Sequence, residues 1–275
     1  MGLFSSVIHL RAVDRDATVD ALNRVLNNRG LLFKEQIICT PGGPVLIPGD
    51  DEWITRGAYY LASERMEHWL TIIQAHWGVQ SAPHESQLAE ALSRDLDCYA
   101  LCLIVHDDDL LLYDLYRSGE LLDGYNSMPQ YFEQKRLKPR AIEEQRHDPT
   151  PFEPLLPPGA TLTQLRVLLN AGYWDAYDAG LLDEHGVPID DSDEFTFESD
   201  RMVALGNLLR LHDTPGDYPY AGWRESERIP WSRFLALRYS AYPRVEADEA
   251  AIWFNVVFTN RVARRLRRSY RGLAA

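Results

Sequence analysis

The densest run of side chains with chemistry to offer is His106-Asp107-Asp108-Asp109, with Asp114 beyond it. Carboxylates and an imidazole are donors that a hard cation could accept. Neighbouring residues of an extended chain point to opposite sides, however, so they seldom converge on one ion. Consecutive aspartates are also what an exposed β-turn ordinarily contains. The run therefore reads as a solvated hairpin turn. Asp190-Asp191-Ser192-Asp193-Glu194, with Glu198 and Asp200 after it, has the outline of a calcium loop. The EF-hand pattern needs glycine at its sixth position and glutamate at its twelfth. Counted from Asp190 neither fits, and Phe195 stands sixth. Acids gathered ahead of a helix start are explained by the helix dipole without any ion.

The histidines are His9, His68, His76, His84, His106, His147, His185 and His212. No pair has the His-Glu-x-x-His spacing, and no Cys-His cluster follows a zinc pattern. His76 and His84 flank a strand-helix junction, where His76 would be the candidate acid-base group if a pocket formed. A packed histidine beside Trp77 is the simpler reading. Cys39, Cys98 and Cys102 are too few and too irregular for a disulfide framework, and Cys98 and Cys102 lack the Cys-x-x-Cys spacing. They read as small buried apolar residues of a reducing compartment. The chain has no Gly-x-Gly-x-x-Gly, no Walker loop and no Gly-x-Ser-x-Gly elbow. Pro41-Gly42-Gly43-Pro44 is glycine-rich, but its prolines suit a turn better than a phosphate cradle. No cofactor and no metal site is expected from these patterns, and no residue is assigned to catalysis.

Two other groups of residues stand out as binding surfaces. The first is aromatic: Tyr113, Tyr116 and Tyr125 after the acidic turn, then Trp174, then Tyr218, Tyr220 and Trp223 in a Gly/Pro-rich stretch. Tyr and Trp combine an apolar body with a polar tip and are common where proteins meet. A seam inside the molecule or a groove for a ligand or partner would both use them. The second is basic: Arg261, Arg264, Arg265 and Arg268 lie with Arg267 and Arg271 beyond the last acid, Glu249. Phe254, Val257, Phe258, Val262 and Leu266 run as an apolar stripe through the same segment. This reads as a final helix over 248–269 whose arginines favour its own C-terminal dipole or meet an anionic partner.

The elements that must position these groups follow from hydropathy periodicity. Strands are expected at 5–10, 31–40, 58–62, 69–75, 99–105 and 110–116, with a short one at 45–47 and an extended piece from Leu121. Helices are expected at about 15–28 and 84–96. Two stretches then share the order strand, helix, strand, strand. This predicts a β-α-β-β unit used twice, building one antiparallel-rich sheet with two helices on one side. Residues 136–158 are rich in charge and in proline that denies them regular structure, which marks an irregular connector laid against a surface by Phe152, Leu155 and Leu156. The division expected is an α+β domain over 1–135, the connector over 136–158, and a mainly helical domain over 159–275 packed on the first. Its helices are read at 161–171, 173–183, 199–211 and 231–239, the last opened by Pro230.

Composition bounds the function classes. The chain has 275 residues, 45% hydrophobic and 25% charged, ordinary values for a globular protein. A formal net charge of −13 disfavours nucleic acid as the partner, because phosphates need a positive footprint, and favours a basic protein partner. The longest apolar stretches are too short to cross a membrane, and no signal-peptide pattern opens the chain, so a bacterial-type cytoplasmic protein is expected. The acidic hairpin with aromatic loops is similar to what small immunity proteins of bacterial toxin systems present, although no signature motif carries the likeness and no residue role is taken from it. The expectation is a non-catalytic binding or regulatory protein, immunity-like in kind. Two other classes compete. A cation-dependent enzyme would need at least two of His76, Asp107, Asp109, Asp191 and Asp193 to converge in a pocket, and a small-ligand sensor would need a cleft between the two repeats.

Overall fold

The computed structural model describes residues 4–40, 43–44, 57–74, 85–106, 109–127, 148–170, 198–211 and 233–241. The first strand is β1 (Phe4–Arg11), followed by helix α1 (Arg15–Asn27) and strand β2 (Leu31–Thr40). Asp14 caps α1: its carboxylate accepts from the backbone N–H groups of Asp16 at 2.8 Å and Ala17 at 3.2 Å. Gly30, at φ +83°, makes the left-handed exit into β2 that a side chain would oppose. The two-residue β3 (Gly43–Pro44) turns back on β2, and a hairpin of β4 (Gly57–Ser63) and β5 (Trp69–Gln74) comes next. Helix α2 (Glu85–Asp95) then leads to β6 (Tyr99–His106), β7 (Leu110–Arg117) and β8 (Glu120–Asn126). The second half contributes a 3-10 helix (Thr150–Leu155), α3 (Leu162–Asn170), α4 (Glu198–Leu209) and a last strand, β9 (Phe234–Ala241).

All neighbouring strands are antiparallel, in the order β3-β2-β9-β4-β5-β1-β6-β7-β8. The fold is α+β, with helices on both faces of the sheet. β1 and β5 lie side by side at its centre, with Ile8 opposite Ile72. From β1 the chain crosses by α1 to β2, which runs parallel to it. From β5 it crosses by α2 to β6, again parallel. The two crossovers leave the central pair in opposite directions and keep their helices on the same face. The repeated element order is thus laid out about a two-fold normal to the sheet. The copies differ in reach: α2 passes over β1 alone, whereas α1 passes over β5, β4 and β9.

Alternation along the strands sorts two cores. Ile8, Leu10, Leu70, Ile72, Ala100 and Cys102 face α1 and α2, where they meet Leu22, Leu26, Leu88 and Leu92. Val7, Trp69, Leu101, Leu103, Leu111 and Leu115 face the other way, onto Phe152, Leu155, Leu165 and the apolar side of α4. Polar groups tie that second layer to the sheet. The Trp69 indole donates to the Leu209 carbonyl at 3.2 Å. Arg11 lies over the Trp69 ring at 5.2 Å and donates to the Leu155 carbonyl at 2.9 Å.

Two expectations are corrected. The sequence predicts a helix over 231–239, but Phe234–Ala241 is a strand seated between β2 and β4. Its run of Phe, Leu, Ala, Leu and Tyr is what a strand buried on both faces contains, and periodicity cannot tell such a strand from a buried helix. Pairing on both edges outweighs the helix propensity of Leu and Ala, which is worth only a few tenths of a kcal/mol per residue. The sequence predicts an irregular proline-rich connector, yet it carries the 3-10 helix, with Pro151 in its first turn and Phe152 and Leu155 fully buried on the sheet. The expected strand at 45–47 and helices at 173–183 and 248–269 lie outside the described residues. β9 comes from beyond the expected connector, so residues on both sides of it build one sheet.

Candidate functional site

Polar side chains gather most densely where the N-terminus of α2 meets β1, β6 and β7. Leu88, Leu92 and Ala89 press α2 onto the sheet, which sets its first two residues over the strands. Glu85 accepts from the Ser6 hydroxyl at 2.9 Å. The Ser86 hydroxyl donates to the Asp114 carboxylate and lies 2.7 Å from the Tyr116 hydroxyl. Asp114 sits opposite Cys102 in β6 and opposite Gly124 in β8. A Cβ at Gly124 would come within 3.1 Å of an Asp114 carboxylate oxygen, so glycine there leaves the carboxylate its room. A carboxylate at a helix N-terminus is favoured by the dipole and by the hydroxyls it accepts from.

The chemistry open to this cluster is narrow. Cys102 is fully buried beside Glu85 and Asp114, and burial first, then the two carboxylates, push its thiol well above the ordinary range. Burial pushes the Cys98 thiol up to about 12, with Arg117 opposing and Asp97 adding. The thiolate is the reactive form, so both cysteines are poor nucleophiles where they stand. Ser86 donates its hydroxyl to Asp114, and the Tyr116 hydroxyl lies within reach of both, which makes the group a polar joint between helix and sheet. Tyr60, also on this face, is fully buried, and its hydroxyl has no hydrogen-bond partner among the described residues. Burial drives its pKa strongly upward, with Glu85 adding to the shift.

Of the tyrosines expected to bind, Tyr113 and Tyr116 are buried and Tyr125 is partly buried. Tyr113 and Tyr116 are each 2% exposed. The Tyr113 ring stacks on Tyr125 at 5.2 Å and meets Phe152 edge-on at 5.3 Å, and its hydroxyl donates to Asp123 at 2.9 Å. Tyr125 donates to the Leu169 carbonyl at 2.7 Å, and burial pushes its phenol up to about 12. The Tyr113 and Tyr125 rings form the seam between β7, β8 and the helices of the second half, while Tyr116 faces α2. Trp174, Tyr218, Tyr220, Trp223, Arg261, Arg264, Arg265 and Arg268 lie outside the described residues, as do His76, Asp107, Asp191 and Asp193. Of the enzyme candidates only Asp109 is described, exposed at the β6–β7 turn. Among the described residues no three His, Cys, Asp or Glu side chains are placed to hold a metal ion. The seam between α1 and α2, where a sensor would have its cleft, is packed with Leu22, Leu26, Leu88 and Leu92.

What residue-by-residue reading passed over is a distribution of charge. From α2 through β8 the described residues carry eight carboxylates, Glu85, Glu90, Asp95, Asp97, Asp109, Asp114, Glu120 and Asp123, against Arg94 and Arg117. The count was available in the sequence. What was missing was the knowledge that α2, β6, β7 and β8 sit together at one end of the sheet. Asp95 pairs with Arg24 at 2.7 Å and Glu90 with Arg94 at 2.6 Å, while Glu120 and Asp109 have no ion-pair partner among the described residues. No helix among those residues is long and apolar enough to cross a membrane. No protein-family model, no curated protein and no solved structure matches the chain.

Proposed function

We propose that this chain is a non-catalytic binding protein whose partner is a basic protein, received at the acidic α2–β8 end of the sheet. One observation carries the reading: α2 through β8 hold eight carboxylates against two arginines among their described residues, a formal net of −6 that Arg24 of α1, paired with Asp95, offsets by one. Charge of one sign concentrated on a fixed surface raises the encounter rate with an oppositely charged partner and disfavours partners of like sign. Ser86, Asp114 and Tyr116 hydrogen-bond one another at the joint between α2 and the sheet, which supports a structural role for them. An immunity-like role, neutralising a basic toxin, is one form this binding would take.

The test is capture from native lysate by the wild-type chain and by a variant carrying Asp109→Lys and Glu120→Lys. A stoichiometric basic partner held by the wild type, released by salt and lost in the variant is the expected result. No stoichiometric partner, or one held equally by both proteins, would remove the reading.

A further inference from the structure

We draw no further inference here: the strongest candidate, the fully buried Tyr60 hydroxyl on the helix-covered face of the sheet near Glu85 at the N-terminus of α2, carries nothing because among the described residues no cavity adjoins it and nothing in the structure shows what ligand would meet it.

Discussion

The two ends of the sheet are built by opposite strategies. The β6-β7-β8 end is a meander: each strand turns straight into the next, and only the pairing of β6 with β1 is long-range. The β2 end is closed from a distance. β9 enters between β2 and β4, and its Arg238 reaches Glu35 at 2.8 Å across 203 residues of chain. Charge divides the same way. β2 and β9 carry Lys34 and Arg238 against Glu35 among their described side chains, while the meander end is strongly acidic. The long-range strand spends its surface on both neighbours and both faces. The local meander completes its pairing within a short stretch of chain and carries the acids. Stability is therefore expected to concentrate at the β9 slot and recognition at the meander end.

Leucine truncation gives the widest separation. Leu237 of β9 is 0% exposed, so Leu237→Ala should cost about 2–5 kcal/mol in denaturant titration. Leu122→Ala on β8, where the side chain is 40% exposed, should stay within about 0.5 kcal/mol. Equal costs would erase the contrast. Next in size is Asp114→Ala, which strips the acceptor from the Ser86 and Tyr116 hydroxyls and should cost about 1–3 kcal/mol. A smaller loss would mean that the joint at the α2 N-terminus contributes nothing to the meander end.

Tyr60 allows a test of the opposite sign. Its hydroxyl is buried without a partner among the described residues, so Tyr60→Phe should leave the midpoint unchanged or raise it. A loss above about 1 kcal/mol would show that the hydroxyl does bond in solution.

The smallest effect concerns Glu198, at the start of α4. Burial holds its carboxyl above the ordinary 4.5, against the lowering by Arg201, 2.9 Å away. A raised value means that the folded state binds the proton more tightly. The associated stability is thus present below the unfolded value and is lost as pH rises through the folded one. Melting temperature followed from pH 4.5 upward should fall less steeply in Glu198→Gln than in the wild type. Identical slopes would remove burial as the controlling influence on this group.

Legibility follows the same division of the molecule. The Asp14 cap, the Gly30 exit and the Ser118-Gly119 turn were readable because each is set by residues a few positions apart. So were both helices of the repeat, whose apolar faces recur at helical spacing. Phe234–Ala241 was not, because its strand state depends on a slot that β2 and β4 open some 200 residues earlier in the chain. The tyrosines misled for a related reason. Tyr113 and Tyr116 alternate with apolar neighbours as any half-exposed strand would, and only the arrival of Phe152 on one face and Ser86 on the other buries them.

By itself the sequence determined the α+β class, the repeated strand-helix-strand order and the local turns, because capping, turn chemistry and periodicity act between near neighbours. It also determined that acids crowd residues 85–127. Only the tertiary structure decided which strands adjoin, that the two crossovers reach unequally, and that β9 fills the wider gap. Only it gathered the acids at one end of a sheet. Strand adjacency is settled by burying both faces of the sheet at once, and no stretch of chain read alone contains the surface that will cover it.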